Sequence, residues 1–148
     1  YHGTMQAYAA VKKRFLAEFP IKQLVMNADD PYGREWIKEL APHKSIISYS
    51  VTSPEAHVYA RHTELTLQGI TTEIITPWGT AIINLPLIGM FNLSNALAVV
   101  AVLGAYGIPF ADILRAIQAM HSASRHRFWA IKNSFAFSSK PFDLRAAG

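Results

Sequence analysis

Apolar positions follow two different rhythms along this chain, and the change between them comes near residue 57. Over 1–15, YHGTMQAYAAVKKRF, apolar residues recur at helical spacing: Met5, Tyr8, Phe15 and Leu16 share one stripe, with Thr4 placed to cap the helix. The run KQLVMN (22–27) is short and apolar and is followed by the turn signal ADDPYG, which predicts a strand buried on both faces. YGREWIKEL (32–40) predicts a short helix that stops before Pro42, and SIISYS (45–50) a second buried strand. Helix, strand, helix, strand is the order of an α/β fold, a parallel sheet flanked by helices.

From His57 to Gly89 the chain alternates apolar and polar residues, with turn signals near Gln68-Gly69 and Pro77-Trp78-Gly79. This predicts a small antiparallel three-stranded insert with one face covered and one wet. NLSNALAVVAVLGAYG (92–107) predicts a helix apolar almost all round, hence central and buried, with Asn92 as its N-cap and Asn95 three residues on. PFADILRAIQAM (109–120) predicts another, with Pro109 at its start and Asp112 in its first turn. Beyond His121 the periodicity weakens, leaving short strands at 127–131 and 134–137.

Composition removes several classes of function. With 148 residues, 51% hydrophobic and only 16% charged, the chain is a packed domain and not a disordered one. Its net charge of +4 is spread out, with no basic run longer than Lys12-Lys13-Arg14, which argues against a nucleic-acid partner. There is no cysteine, so disulfides and thiolate metal sites are excluded. The longest apolar run, 96–105, is interrupted by Gly104 and is too short to span a bilayer. No apolar leader follows Tyr1, so the expected setting is cytoplasmic, without a membrane partner.

No phosphate-cradling glycine loop, dinucleotide fingerprint or nucleophile elbow occurs, and His57 and His62, five apart, point to opposite faces of a strand. Three stretches remain. Lys12 falls near the middle of the first helix's apolar stripe, while Arg14 points the opposite way. It is either a lysine snorkelling from a helix edge or a desolvated amine open to chemistry, including uptake of carbon dioxide as a carbamate that binds Mg²⁺. Asn92 reads most simply as a cap, but the Asn95 carboxamide can pair with an adenine edge through donor and acceptor together. Asp29 and Asp30, where a parallel strand ends, suit a ligand site and a turn equally well.

Together YHGTMQAYAAVK (1–12), NADDPYGREW (27–36) and GMFNLSNALAVVAVLGAYGIP (89–109) resemble the Mur ligases, ATP-dependent enzymes that add amino acids to the peptidoglycan precursor, and most of all the MurE type. The resemblance covers most of residues 1–120 and implies the later part of that family's central domain, with 121–148 a divergent tail at the junction to a C-terminal domain. It implies that Lys12 is carbamylated and helps to hold Mg²⁺ beside the ATP γ-phosphate. Asn92 and Asn95 match the helix-start asparagines, Asn95 being the better match for adenine. The implied reaction adds a diamino acid, diaminopimelate or lysine, to UDP-MurNAc-L-Ala-D-Glu through an acyl phosphate. The family's phosphate loop and a Mg²⁺-binding histidine precede the stretch matching Tyr1, so the implied reading is a piece of a ligase, inactive alone.

The tail departs from the pattern. SRHRFW (124–129) stands where MurE proteins carry V-P-G-R-x-E; its His126-Arg127-Phe128 is similar to the H-R-F of the sibling D-glutamate ligases, and Arg127 takes the place of the arginine near the ATP ribose. The usual acidic residue is Trp129, and SSKPFD (138–143) replaces D-Y-A-H-x-P, as a shifted reading frame or a decayed gene would produce. Two other readings compete: a folylpolyglutamate synthetase-like ligase, which would need a different helix from YHGTM, and a non-catalytic α/β binding module.

Overall fold

The computed structural model describes residues 5–123, with side chains up to residue 119. Thr4, Arg127, the strands expected at 127–131 and 134–137, and nearly all of the tail therefore lie outside the described residues. Nine elements follow in order: α1 (Met5–Glu18), β1 (Gln23–Asn27), α2 (Pro31–Leu40), β2 (Ser45–Ser50), β3 (Val58–Thr66), β4 (Gly69–Thr76), β5 (Gly79–Leu85), α3 (Met90–Ala105) and α4 (Phe110–Ala123). The α/β fold class holds, and the two rhythms of the sequence occupy one sheet of order β1-β2-β3-β4-β5.

β1 and β2 pair in parallel along their whole length, from Gln23 opposite Ser45 to Asn27 opposite Tyr49. The antiparallel β3-β4-β5 meander is as expected, with its turns where the glycines predicted them. It is joined to the parallel pair by a short parallel overlap of Tyr49 with Val58 and Ser50 with Tyr59, so β3 begins where β2 ends and the meander extends past it. His57 closes that joint. The Ser48 N–H donates to His57 Nδ1 (3.1 Å), the Ser48 hydroxyl lies 2.8 Å from the same nitrogen, and the His57 N–H donates to Ser48 Oγ (3.2 Å). The backbone donor places a lone pair on Nδ1, so the ring proton sits on Nε2.

Alternation along β1 and β2 divides the core in two. Leu24, Met26 and Ile46 pack with Leu40, Trp36, Ile37 and Leu16 on the face covered by α1 and α2. Val25, Ile47 and Tyr49 face the larger core, where α3 supplies Leu93, Leu97, Val100 and Ala101 and α4 supplies Ile113 and Ile117. Gly104 of α3 gives room for the Trp78 indole, which folds back from the β4-β5 turn.

Two helices depart from expectation. The α1 stripe is not a buried one: Ala9 is buried and Leu16 partly so, but Met5, Tyr8 and Phe15 are exposed. α3 is buried along one side only, with Phe91, Val99 and Val102 exposed. It also starts earlier. Gly89, at φ 93°, is the N-cap, a conformation that costs a glycine little, and Asn92 lies one turn inside the helix. The Asn92 amide donates to the Ile88 carbonyl (2.7 Å), tying the helix to its approach instead of capping it.

Candidate functional site at the carboxyl ends of the parallel strands

The loops after β1 and β2 are held by one carboxylate. Asp29 Oδ1 accepts from the Ser50 hydroxyl (2.5 Å) and the Thr52 hydroxyl (2.7 Å), and its Oδ2 accepts from the Val51 N–H (2.7 Å). Ser50, fully buried, accepts in turn from the Thr52 and Ser53 N–H groups. The Asn27 side chain accepts from the Asp29 N–H (2.8 Å), so the first polar residues past β1 are locked to those past β2. Asp30 has a different task. It caps α2, accepting from the Gly33 N–H (2.9 Å), with Pro31 at the first helical position. Both residues of the acidic pair thus hold the strand ends, Asp29 by joining the two loops and Asp30 by capping α2.

Burial opposes ionisation of Asp29, but the donors from Ser50, Val51 and Thr52 outweigh it and hold the carboxyl below its usual range. Burial, followed by the charges of Asp29 and Asp30, pushes the Tyr49 phenol upward, so it stays protonated at neutral pH. Because the folded-state pKa of Asp29 is depressed, its contribution to stability is present above the unfolded value near 3.8 and is lost as pH falls through the lower native value. Asp29→Ala is expected to cost about 2 kcal/mol at pH 7, since it strands buried donors. Urea melts of both proteins at pH 7 and pH 3 check this: the gap should narrow at the lower pH.

α1 and α3 approach this edge from opposite faces. The first two turns of α1 face Asn27, Asp30 and Gly33 across a cleft of about 400 Å³, walled also by Tyr8, Tyr32 and Trp36. Lys12 lines that cleft. It is exposed, with its ammonium 4.5 Å from the centre of the Tyr8 ring, so the inward, desolvated amine is corrected to an exposed one, as in the alternative of a lysine at a helix edge. The physical reason is that no described element covers the Tyr8 flank of α1. Lys13, one residue on, is the paired lysine, bridging to Glu35 and Glu39 of α2. Lys12 has no ion pair among the described residues.

α3 runs antiparallel to β1, because its last turn (Val102, Ala105) and Tyr106 share a second cleft with Ile21, Lys22 and Gln23 at the start of β1. Its first turns, with Asn92 and Asn95, therefore point toward the carboxyl ends of the strands. Asn95 is exposed, and its side chain makes no hydrogen bond to another described residue. Lys12 and the asparagines thus share one end of the sheet but stand on its two faces, while Arg127 lies outside the described residues. Among the described residues no three of His, Cys, Asp and Glu converge to hold a metal. The sequence did not single out Tyr8 beneath Lys12, although its spacing of four residues was a usable signal.

Comparison with known proteins extends this picture. Residues 1–103 match the Mur ligase middle domain. The chain is 40% identical over 117 residues to the UDP-N-acetylmuramoyl-L-alanyl-D-glutamate–2,6-diaminopimelate ligase of Pseudomonas aeruginosa, covering 79% of this chain and 24% of that one. It is 36% identical over 129 residues to the enzyme of the same name from Neisseria meningitidis serogroup B, covering 84% and 26%. Among solved structures, a UDP-N-acetylmuramoyl-L-alanyl-D-glutamate–2,6-diaminopimelate ligase superposes with a TM-score of 0.70 at 28% identity, covering 79% of this chain and 25% of that one. MurF from Acinetobacter baumannii superposes with a TM-score of 0.66 at 26% identity, covering 78% and 25%. The chain spans about a quarter of the length of the relatives it matches. With the family's middle domain matched over more than half its residues and the same fold in its structural neighbours, this chain belongs to the Mur ligase family.

Proposed function

We propose that this chain is the part of a MurE-type ligase that presents a modifiable lysine and two helix-start asparagines to ATP, in an enzyme that joins a diamino acid to UDP-MurNAc-L-Ala-D-Glu. The observation that carries this is the 40% identity to a ligase named for that reaction, combined with Lys12 standing in the cleft at the carboxyl end of β1 without an ion pair among the described residues. Such an edge is where open α/β sheets bind ligands.

An accessible amine free of carboxylate partners fits the formation of a carbamate. The neutral amine adds to carbon dioxide and gives up one proton, replacing a cation by an anion with two oxygen donors. Those oxygens, with ligands from outside the described residues, would hold Mg²⁺, whose charge lets two anionic reactants meet. Tyr8 supports the Lys12 stem from one side. Asn95, whose side chain has no described partner, offers its carboxamide to the adenine edge, and Asn92 fixes the start of the helix that carries it. Arg127 is assigned to the ribose. Residues 121–148 form the passage to a C-terminal domain, and the setting is cytoplasmic.

The test is a hybrid: the quarter of the Pseudomonas ligase that matches this chain is replaced by residues 1–119. Phosphate release that requires ATP, the UDP-MurNAc-dipeptide and diaminopimelate or lysine is the expected result. A folded hybrid that hydrolyses no ATP with any of these substrates overturns the reading.

A further inference from the structure

We propose that the outer edge of β5 joins two copies of this chain, paired antiparallel about a twofold axis through Ile82, so that the two sheets become one. The proposal rests on the fold alone, and neither the role given to Lys12 nor the ligase reading enters it. β5 (Gly79–Leu85) ends the sheet on the side away from β1 and is bonded only to β4. An edge strand that must stay unpaired is protected by charge, proline or a bulge. GTAIINL has none of these, and its register with β4 is unbroken.

The phase of the hairpins decides which backbone groups of β5 face outward. Both turns of the meander are two residues long, closing on Thr66 opposite Gly69 and on Thr76 opposite Gly79. Such a turn closes on a hydrogen-bonded pair, and bonded and non-bonded pairs then alternate along the ladder. Gly79, Ala81, Ile83 and Leu85 therefore bond to β4, while Thr80, Ile82 and Asn84 turn their N–H and C=O groups away from it. The first turn gives the same phase, since it directs Gly69 to β3 and leaves Ile70 to bond Leu85. None of the outward groups has another backbone partner among the described residues. Three alternate residues centred on Ile82 are a bare template for a strand.

Self-complementarity identifies the occupant. In an antiparallel pairing centred on Ile82, that residue meets its own copy while Thr80 and Asn84 meet each other, which makes about six backbone hydrogen bonds. The side chains agree with this register. Thr80, Ile82 and Asn84 share the face away from the core and are all exposed, Ile82 at 70%. Ile82 gains an apolar neighbour, and the Asn84 amide donates to the Thr80 hydroxyl of the copy, its oxygen being already engaged by Thr71 (2.8 Å). β5 carries no charge to meet its like across the axis. The charges flanking it are paired within the chain: Glu73, opposite Ile82 on β4, with Arg61 (2.8 Å), and on α4, which packs against β5, Asp112 with Arg115. A chain of net charge +4 thus presents a neutral strip to its copy. The edge lies across the sheet from β1, so pairing leaves the Lys12 cleft open.

Light scattering tests this on the 148-residue chain at about 100 µM, where an interface of micromolar affinity is filled. The expected mass is twice the 16.4 kDa of one chain. Ile82→Lys and Ile82→Glu, made separately, should each give single chains with the parent's circular-dichroism spectrum, because like charges then face each other across the axis. Mixed in equal amounts, the two variants should recover the dimer, as only a residue that meets its own copy allows. Ile82→Pro removes the central outward N–H without breaking a bond to β4, and it should also give single chains. Leu65→Lys, at an exposed position of β3, should stay dimeric. A parent chain that scatters as a monomer overturns the proposal. So does a dimer that survives both charges, that the mixture fails to restore, or that Phe15→Glu on α1 disperses instead, since the copies would then meet elsewhere. If a charged variant loses its fold, the Ile82→Pro result decides in its place.

Discussion

Lys12→Ala in the hybrid ligase is expected to cut turnover about a thousandfold or more, which is about 4 kcal/mol of lost transition-state stabilisation. The same change should barely touch folding. Lys12 is exposed and its ammonium lies over the Tyr8 ring, and such a contact is worth about 0.5–1 kcal/mol at a solvated position. The two readouts separate a chemical lysine from a structural one, since a packing role would lower stability and activity together. Lys12→Arg sharpens the test. It keeps the positive charge and the long stem, but a guanidinium stays protonated and cannot take up carbon dioxide. If charge alone served the site, the arginine variant would retain turnover, and the carbamate assignment would fail. If the carbamate is needed, Lys12→Arg should be as inactive as Lys12→Ala, and the parent hybrid should lose activity in carbon-dioxide-free buffer and regain it with bicarbonate.

What could be read in the sequence was local. β2 falls on the residues expected for it, and the meander is in place, because period-two alternation and turn glycines act over a few residues. Helical periodicity tells which residues share a face but not whether anything meets that face. Met5, Tyr8 and Phe15 do share one, yet it is exposed, and Lys12 with it. The start of α3 was misplaced for a related reason: a capping asparagine was available, but Gly89 takes the positive-φ turn at lower cost. The Asp29 cluster was beyond reach because its partners lie 21 to 23 positions away on β2 and the loop after it. Parallel pairing brings those ends together, and only the fold reveals that Asp29 is a clamp.

That clamp shares its end of the sheet with the position where the largest loss of stability is expected. Gly33 is in the first turn of α2, directly over the end of β1. A glycine inside a helix ordinarily costs about 1 kcal/mol relative to alanine, so propensity alone predicts that Gly33→Ala stabilises the protein. Contact reverses the sign. A Cβ at Gly33 would stand 1.9 Å from the Asn27 carbonyl oxygen, which belongs to the backbone at the strand's end and cannot swing aside as a side chain would. Either α2 lifts from the sheet or Asn27 moves, and moving Asn27 disturbs its hydrogen bond to Asp29 and with it the tie to Ser50 and Thr52. The expected net loss is about 3 kcal/mol, or roughly 10 °C in melting temperature, at the upper end of overpacking costs. Calorimetry of Gly33→Ala beside Lys38→Ala, an exposed position in the same helix whose side chain has no partner among the described residues, isolates the contact from propensity. A stabilised Gly33→Ala would mean that α2 does not press on β1, and that the wall of the Lys12 cleft is looser than these distances require.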